Sequence, residues 1–456
     1  MKGKHSLYGL AFAAVAGAAL AASPQDIGST LTPLGGAEKA AKGDIPAWNG
    51  ENVVPGWSYG QLRKDAFKYK DEKPAATIDA ANVDKYAAKL TPGQVALIKQ
   101  IKGYKMDVYP THRYCGAPEF VVENTKKNAA GAAKLASDGQ TLADAVVPGV
   151  PFPFPKNGAE VMLNAKMRYR GVGIEYKKNT TSVSPRKGSN EWIRAVSEQT
   201  LYFPWGAKGS VNLSTLPQVE YYTYFSYVAP TALAGQALDI TFFLNKPGSE
   251  TFYYFPGQRR VRRMPSYAYD APQIGFENQY TMDEPYVFNG SLDRFDWKLV
   301  GKKEIYVPYS SFGAYNFKAK LADVLHDDSV AENARRYELH RVYVVEATVK
   351  AGTRHSAPKR TFYVDEDSWN MLLADDYDAQ GKLWKHREGY LIPVAETGTC
   401  DVSAFAQYNL AEGRYLVDLH SIAAGKDMRW ATDPKSSPRY NASFYSADNL
   451  RSISER

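Results

Sequence analysis

The feature that most constrains the fold is a succession of strand-like segments that begins near residue 219 and continues almost to the C-terminus. The segments are rich in aromatic and β-branched residues, and short turn-like stretches connect them. They read VEYYTYFSYVA, ALDITFFLN, ETFYYFPG, RFDWKLVGKKEIYVPY, HRVYVVEATVK, KRTFYVDED, LWKHREGYLIPVAE and GRYLVDLHS. This pattern predicts a large antiparallel sheet.

Many of these segments are apolar on both faces. In ALDITFFL, Leu238, Ile240 and Phe242 alternate with Asp239 and Thr241, whereas HRVYVVEATVK carries valines on both faces. Strands with two apolar faces must be covered on both sides. We therefore expect a layer of helices on one side of the sheet and a cavity on the other.

The composition agrees with a strand-rich fold. The chain contains 32 tyrosines, 19 phenylalanines, 8 tryptophans and 26 prolines, which favour strands and ordered loops over long helices. An all-β or β-rich α+β fold follows. The net charge of +7 is spread over the whole chain and supports only weak attraction to anionic surfaces, so we expect no nucleic-acid partner.

A few helices are predicted before the strand-rich region. Over residues 77–101 the sequence suggests two short helices, and the second has Thr91 as N-cap, Pro92 at the first helical position and Gln94 at the capping-box position. Two further candidates cover residues 118–135 and 158–169.

The first residues have the organisation of a secretory signal peptide. Lys2 and Lys4 precede an apolar run over residues 7–22, and the sequence ALA at residues 19–21 offers a cleavage site. A retained membrane anchor is the alternative, but such an alanine-rich run is short for a bilayer that needs about twenty strongly apolar residues. No cysteine lies near this site, so acylation is not expected. We predict removal of residues 1–21 and a soluble, non-lipidated protein in the periplasm.

Proline-rich sequence separates the two later helix candidates. VPGVPFPFPKNG must be extended, and Phe152 and Phe154 then point to one side. The segment could be a peptide ligand for a partner domain, but we favour a rigid strand that covers the core because Pro-reading modules are not expected in an exported bacterial-type protein.

The two cysteines, Cys115 and Cys400, are in a chain predicted to enter an oxidising compartment, where disulfides persist. Sequence alone cannot bring their Cα atoms together, so a bridge and two separate thiols both stay open. We expect the pair to be either bridged or buried, because an exposed free thiol suits such a compartment poorly.

No local catalytic motif competes with a binding function. G-x-S-x-G, Walker, H-E-x-x-H and C-x-x-C patterns are absent from the sequence. His340, next to Arg341 on a two-faced strand, is the best single candidate for acid–base chemistry, but a histidine paired with a neighbour is the simpler interpretation. We predict no catalytic residue and no cofactor.

The stretch DDYDAQGKLWKHRE looks like the start of a calcium loop. Asp376, Asp378 and Gln380 alternate before Gly381, but the twelfth position is Arg387 instead of a bidentate glutamate. A cation at that position disfavours calcium, and DAQG between two strand patterns is typical of a hairpin turn. We predict the turn and no metal site.

Several blocks of the chain together resemble a domain-of-unknown-function (DUF1329-type) family of Gram-negative exported proteins. That family is related to LolA and LolB, the carrier and acceptor of outer-membrane lipoproteins. The blocks are LTPLGGAEKA, IPAWNG, MDVYPTHR, PFPFPKNG, FPGQRRVRRMP followed by YDAP, DRFDWKLVGKKE and FYSADNLR, in one order over nearly the whole mature chain.

This resemblance implies an α+β, β-rich fold. A large, strongly curved antiparallel sheet would form an unclosed, LolA-like half-barrel around helices and leave a hydrophobic groove. The chain would then comprise a signal peptide (1–21), an extended N-terminal arm (22–75), helical and Pro-rich covering segments (76–190) and the curved sheet (191–456), with the last two parts forming one integrated domain.

In the lipoprotein-sorting fold, the segment that matches RRVRR is a strand. Arg259, Val261 and Arg263 would then share one face, and Arg260 and Arg262 the other. Some arginines would pair with acids on neighbouring strands, and others would meet a carboxylate or phosphate at the groove mouth. The acids considered are Asp293, Asp296 and Glu304. The residues that we predict to bind the ligand are Phe152, Phe154, Phe252, Tyr254, Arg259 and Arg263.

The first functional hypothesis is a periplasmic carrier or accessory protein that shelters a lipid, acyl chain or similar apolar molecule in the groove. Family members tend to occur alongside an outer-membrane β-barrel protein and transport systems for apolar molecules, so a barrel and an inner-membrane transporter are the expected partners. The second hypothesis is a structural adaptor that docks on such a complex and fills its groove with its own segments. An enzyme acting on hydrophobic substrates is a third, weaker alternative.

Overall fold

The computed structural model describes residues 22–265 and 269–455. The signal peptide predicted at residues 1–21 lies outside the described residues. Within these ranges, no helix is both long enough and apolar enough to cross a membrane.

The described part of the chain is dominated by strands. The strands are β1 (Ala76–Ile78), β2 (Met106–Tyr109), β3 (Lys134–Leu135), β4 (Leu142–Asp144), β5 (Val146–Val147), β6 (Gly173–Val183), β7 (Ile193–Tyr202), β8 (Val211–Asn212), β9 (Val219–Ala229), β10 (Ala237–Phe243), β11 (Ser249–Phe255), β12 (Arg260–Met264), β13 (Phe295–Pro308), β14 (Tyr337–Val349), β15 (Lys359–Asp365), β16 (Met371–Tyr377), β17 (Leu383–Val394), β18 (Thr399–Asn409), β19 (Arg414–His420) and β20 (Arg429–Ala431). The α-helices are α1 (Arg63–Ala66), α2 (Val83–Tyr86), α3 (Pro92–Gln100), α4 (Glu119–Lys127), α5 (Gly158–Lys166), α6 (Leu321–Val324) and α7 (Ala447–Ser454).

Sixteen of the strands form one sheet, in the order β1-β2-β14-β15-β16-β17-β18-β19-β6-β7-β9-β10-β11-β12, with β13 beside β14 and β20 beside β6. The sheet is unclosed, because β1 and β12 at its two ends do not pair with each other. The predicted β-rich α+β fold with a large unclosed sheet is therefore confirmed. One correction is needed: the sheet is not purely antiparallel, because β2 runs parallel to β14.

The sheet was predicted to begin at residue 191, but it also contains strands that precede this residue. β1, β2 and β6 come from residues 76–190, where the sequence predicted helical and Pro-rich segments. The predicted helices are also present, because α4 and α5 lie within the two candidate ranges and α3 begins as expected. Thr91 accepts a hydrogen bond from the backbone N–H of Gln94 at 3.2 Å, and the Gln94 side chain completes the capping box.

The main core lies between the sheet and the helices. α5 packs on β13 and β14, and its first residue approaches the sheet so closely that a Cβ at Gly158 would lie within about 3 Å of the backbone of Trp297 and the side chain of Val345. α3 packs on β16 and β17, where a Cβ at Gly93 would collide with His386. Glycine is therefore required at both contacts.

The C-terminal segment covers one face of strands β9–β12. α7 contacts β10, β11 and β12, and Leu450 is fully buried there beside Tyr445. The strands of this region are thus apolar on both faces because the C-terminal helix covers one of them.

A disulfide joins two distant parts of the chain. Cys115, which follows β2, is bonded to Cys400 in β18 with an Sγ–Sγ distance of 2.06 Å. Nearby, Arg113 donates to the carbonyl oxygens of Glu38 and Pro46, and the indole of Trp369 donates to the carbonyl of Leu34. These bonds attach the N-terminal arm to the body of the protein.

The turn predicted in DAQG is confirmed. Asp378 Oδ1 accepts hydrogen bonds from the backbone N–H groups of Gln380 and Lys382, both at 2.9 Å, and Gly381 adopts a positive φ of 75°. The turn connects β16 to β17. Asp376 precedes the turn and is buried in ion pairs with Arg360 and Arg387.

Candidate ligand-binding cavity

A cavity of about 490 Å³ lies between one face of strands β6, β7 and β9–β12 and a covering segment, residues 272–289. Asp418 and Leu419 at the end of β19 complete its wall. The volume is within the range of small-molecule sites, which is about 300–1,000 Å³.

The alternation of the strands decides which side chains enter the cavity. Leu238, Ile240 and Phe242 of β10 line it, while Asp239 and Phe243 point to the other face. Paired residues on neighbouring strands have their side chains on the same face of the sheet. The partners of Leu238, Ile240 and Phe242 on β9 and β11 therefore point to the cavity side as well. The lining residues of the neighbouring strands are Tyr221, Thr223, Phe225 and Tyr227 in β9 and Thr251, Tyr253 and Phe255 in β11.

One end of the cavity is polar and neutral. The hydroxyl of Ser197 donates to Asn179 at 2.7 Å, Asn179 donates to Gln199 at 2.9 Å, and Gln199 donates to Thr223 at 3.2 Å. These four side chains come from β6, β7 and β9 and all line the cavity. A ligand that enters this end meets hydrogen-bonding groups without a formal charge.

Asp418 is the ionisable group beside this polar end. Its carboxylate accepts a hydrogen bond from Thr181 at 2.5 Å and another from the hydroxyl of Tyr280. Burial raises the pKa of Asp418 above its ordinary value, although the two hydrogen bonds act in the opposite direction.

The other end of the cavity is apolar. It is formed by apolar strand residues of β9–β11, and the covering segment adds Phe276 and Met282 to the lining of the cavity as a whole. At the mouth, Ile274 is 83% exposed, and such a large exposed aliphatic side chain beside an apolar cavity is typical of a ligand entrance.

The covering segment has no regular secondary structure and is fixed by side-chain contacts. Its backbone folds back on itself, because Gln273 N–H donates to the carbonyl of Tyr280 at 2.8 Å. Gln279 donates to Glu412 at 2.8 Å, and the Gln407 side chain donates to the carbonyl of Gln279 at 2.7 Å. Glu284 accepts from Lys385 at 2.6 Å in the interior.

The arginine-rich sequence RRVRR, residues 259–263, begins in a hairpin turn and continues as β12, the edge strand of the sheet. Arg259 lies in the turn with a positive φ of 47°, so it is not on the strand face where the sequence placed it. In β12, Arg260 pairs with Phe255 and Arg262 with Tyr253, which puts both arginines on the cavity side. The guanidinium of Arg262 lies 5.8 Å from the ring centre of Phe255.

Arg263 points to the opposite side of the sheet. It forms an exposed ion pair with Glu250 at 2.7 Å, and Glu250 is on the adjacent strand β11. The partner therefore differs from the acids that the sequence suggested. The hairpin makes β11 the neighbour of β12, whereas Asp293, Asp296 and Glu304 precede or belong to β13, far away in the strand order.

The predicted aromatic ligand-binding residues lie outside this cavity. Phe252 and Tyr254 are on the face of β11 that packs against α7. Phe152 packs against the main core, and Phe154 packs against a small cluster under the N-terminal arm. The structure does not bring these four side chains together.

The sequence analysis did not single out the residues that do line the cavity. For Leu238, Ile240 and Phe242 the alternation in ALDITFFL was a usable signal. No sequence pattern predicts that Asn179 and Ser197 line the cavity, because nothing in the sequence shows that their strands lie beside β9.

A second cleft, of about 400 Å³, is less suitable for a ligand. Two of the arginines in its wall already have carboxylate partners: Arg63 bonds Glu396 at 2.8 Å and Asp427 at 3.1 Å, and Arg336 bonds Glu72 at 2.8 Å. An anionic ligand would have to break these pairs.

A serine–histidine contact is present but is closed to substrates. Ser182 and His420 lie 2.9 Å apart, and both are completely buried. Burial lowers the pKa of His420 to about 3, so it is neutral at physiological pH. Ser182 also points away from the cavity, since its neighbour Thr181 lines it.

The sequence matches a described protein family over most of its length. Residues 77–451 match the model of the family described as protein of unknown function (DUF1329). An uncharacterized protein of Pseudomonas aeruginosa is 38% identical over 400 residues, which cover 86% of this chain and 85% of that protein. The family predicted from the sequence blocks is confirmed.

Three solved structures have a partial similarity of fold. A candidate outer membrane lipoprotein-sorting protein domain from Vibrio parahaemolyticus has a TM-score of 0.42, with 14% identity over 64% of this chain and 98% of that chain. A DUF1329 family protein from Desulfovibrio piger has a TM-score of 0.37, with 15% identity and 60% and 91% coverage. A LolA superfamily protein from Nitrosomonas europaea has a TM-score of 0.36, with 10% identity and 64% and 99% coverage. Function is therefore inferred from the cavity of this chain alone.

Proposed function

We propose that this chain, which belongs to the DUF1329 family of proteins of unknown function, is a periplasmic carrier for an amphipathic ligand. The observation that supports this is the division of one cavity into a neutral polar end at Asn179, Ser197 and Gln199 and an apolar end at the residues of β10 and β11. A lipid, acyl chain or similar molecule with a small polar group matches both ends.

The energetics favour such a ligand without any catalytic group. Each methylene moved from water into an apolar site contributes about 0.8 kcal/mol, so ten methylenes offer roughly 8 kcal/mol before the costs of ordering are subtracted. The polar end adds orientation, because a ligand that left those hydrogen-bonding groups unsatisfied would bind less well.

The carrier would serve transport to or from the outer membrane. Its partners would be an outer-membrane barrel protein and an inner-membrane transporter that deliver or accept the ligand. The alternative adaptor function supposed that the Pro-rich and N-terminal segments fill the groove. Within the described residues, those segments contribute nothing to the cavity wall, which is formed by residues from 179 onward.

The decisive experiment combines native mass spectrometry with probe binding. Protein isolated from its own periplasm is expected to carry a reproducible apolar molecule, and the delipidated protein is expected to bind a fluorescent long-chain fatty acid analogue. Ala195→Trp places a large ring in the cavity from β7, because Ala195 lines it, and should weaken probe binding at least about tenfold.

Val228→Trp is the matched control. Val228 is 56% exposed and lies on β9 next to the lining residue Tyr227, so its side chain points away from the cavity. Binding should stay within about twofold of the wild type, as for a surface substitution. A protein that carries no apolar molecule and binds no probe would contradict the carrier function. Co-purification of such an empty protein with a barrel would favour the adaptor.

A further inference from the structure

Three potential metal ligands meet in the interior where β14 and the end of β15 face each other. The donor atoms of His340, Asp365 and Asp367 all lie within 4.8 Å of one another. None of the three residues is more than 1% exposed. This His340–Asp365–Asp367 cluster is separate from the ligand cavity, and its role does not depend on the proposed carrier function.

The charges around the cluster do not balance. Glu366 lies 2.8 Å from Lys302, and Asp367 lies 2.8 Å from Arg113. Asp365, in contrast, forms no ion pair with a lysine or arginine among residues 22–265 and 269–455. A buried carboxylate without a compensating cation is costly in free energy, and either a proton or a bound cation at Asp365 would relieve that cost.

Asp365 also has an unused oxygen. Its Oδ2 accepts hydrogen bonds from the backbone N–H and the hydroxyl of Ser368, at 3.0 and 2.6 Å. Its Oδ1 is buried, and no donor in the described part of the chain reaches it. Buried polar atoms are normally satisfied, so an unpartnered oxygen on a carboxylate that is grouped with a histidine and a second carboxylate points to a ligand.

His340 is oriented as a metal-binding histidine would be. Its Nε2 lies 3.1 Å from the Glu338 carboxylate, and its ring stacks on Tyr309 with 3.7 Å between the ring centres. A carboxylate that holds Nε2 fixes the tautomer of the ring, so Nδ1 is the nitrogen that a metal ion would use. Glu338 is itself held by Arg336 at 3.1 Å.

Asp367 retains capacity for a further ligand. Arg113 donates one hydrogen bond to each of its oxygens, both at 2.8 Å. A carboxylate oxygen has two lone-pair sites, so one site on each oxygen stays available. The two aspartates are held at fixed positions by Ser368 and Arg113, which reduces the reorganisation that binding requires.

We propose that His340, Asp365 and Asp367 bind a divalent transition-metal ion of the zinc type. One imidazole nitrogen with two carboxylate oxygens suits Zn²⁺ or Mn²⁺ better than Ca²⁺ or Mg²⁺, which prefer sites made only of oxygen ligands. The ion would connect β14 to the turn after β15, and through Arg113 to the N-terminal arm. Its role is structural, since the site is closed to substrates.

The experiment measures zinc in the full-length mature protein. Because the site is buried, the ion must enter as the chain folds. The disulfide-intact protein is unfolded, stripped with a chelator, refolded with Zn²⁺ and dialysed. We expect about one zinc ion per chain by elemental analysis and a higher melting temperature than after refolding without metal. Less than about a tenth of an ion per chain in the wild type overturns the proposal.

Two variants locate the ion. His340→Gln and Asp365→Asn should each lower zinc affinity at least about tenfold. The control is His355→Gln, which also removes a buried histidine bonded to a carboxylate, at 3.0 Å from Asp283, and should keep one zinc ion. Equal zinc content in all three variants would place the ion elsewhere and overturn the proposal. If a variant fails to fold, Co²⁺ substitution of the wild type decides, because its visible absorption must show mixed nitrogen and oxygen ligands.

Discussion

The two halves of the sheet use their interior in opposite ways. Strands β15–β17 fill it with long ionised side chains, of which Arg360 bonds Asp376 at 3.0 Å and also Asp283, and Arg387 bonds Asp376 at 2.7 Å. Strands β6, β7 and β9–β12 place neutral and aromatic side chains there and leave a cavity. Similar antiparallel strands thus produce a filled region and an open one.

The carboxylates of the two halves behave differently for this reason. Among the ion pairs, neighbouring arginines hold the pKa values of Asp283 and Asp376 well below the ordinary range. In the half that contains the cavity, burial raises the pKa of Asp418, which lines the cavity, and raises the pKa of Asp239, on the opposite face of β10, to about 8. Whether a buried acid has a cation beside it therefore decides the sign of its contribution to stability at neutral pH.

The covering segment joins the two halves. Asp283 and Glu284 within this segment belong to the ionic half, through Arg360 and Lys385. Residues before and after them, such as Ile274 and Tyr286, border the cavity. The ionic half thus holds a wall of the cavity in place.

The largest effect is expected from Arg360→Met. The change leaves Asp376 and Asp283 buried with one partner fewer each, and breaking a buried pair in this way costs about 3–5 kcal/mol. Urea unfolding should show this loss together with weaker probe binding, since Asp283 anchors the covering segment. The matched control is Arg262→Met, where the arginine is exposed and the loss should stay below about 0.5 kcal/mol. Equal losses would show that the ionic half has no special role in stability.

Asp239→Asn should have the opposite sign and an intermediate size. Asp239 is 2% exposed, and no hydrogen-bond donor in the described residues reaches either of its carboxylate oxygens. Its pKa of about 8 is far above the ordinary value of 3.8, although Arg439 acts to lower it. Between pH 3.8 and about pH 8, Asp239 keeps its proton in the folded protein but loses it in the unfolded chain. The free energy of unfolding therefore falls as the pH rises through this range.

The asparagine variant removes this penalty. Its free energy of unfolding should exceed that of the wild type by little near pH 4 and by an amount that grows up to about pH 8. The acids of the ionic half give the reverse trend, because their lowered pKa values contribute stability that is present at neutral pH and is lost in strong acid. Urea unfolding of wild type and variant at a series of pH values measures both trends. A variant whose advantage does not grow with pH would mean that Asp239 is ionised in the folded protein.

Tyr280→Phe should have a smaller effect, concentrated on the cavity. It removes the hydroxyl that donates to Asp418 and connects the covering segment to β19. We expect a loss of about 1–2 kcal/mol in stability and a faster release of the bound probe in stopped-flow measurements. Tyr445→Phe is the control, because it also removes a buried hydroxyl, which donates to the carbonyl of Arg439 at 2.9 Å, but on the opposite face of the sheet. Similar release rates in both variants would contradict the role of the covering segment.

Local signals predicted much of the architecture. The capping box at Thr91 and the Asp378 turn depend on residues three or four apart, so the sequence contains the whole pattern. The alternation in ALDITFFL likewise showed which residues share a face. It could not show which face borders the cavity, and the predicted residues Phe252 and Tyr254 lie on the face opposite to Tyr253 and Phe255, which line it.

Long-range contacts account for what the sequence could not predict. The covering segment has no periodicity, and its position depends on contacts such as that of Asp283 with Arg360, 77 residues away in the sequence. The His340–Asp365–Asp367 cluster likewise joins His340 to residues of another strand and turn. The hairpin turn was missed because Arg259 adopts a left-handed conformation inside a run of arginines that looked like one continuous strand.

The smallest predicted effect concerns the arginines of β12. Arg262 is exposed on the cavity side, and Arg263 is exposed on the other side with Glu250 as its partner. Since exposed charges contribute little to stability, neither Arg262→Gln nor Arg263→Gln should change the melting temperature. Binding of an anionic probe should distinguish them: Arg262→Gln weakens it about two- to threefold at low salt, and the difference disappears near about 0.5 M salt, where screening is strong. Arg263→Gln should bind as the wild type does, because its charge lies behind the sheet. Equal, salt-dependent losses in both variants would mean that the two arginines form one basic patch, and that the division of β12 into a cavity side and an outer side has no consequence for the ligand.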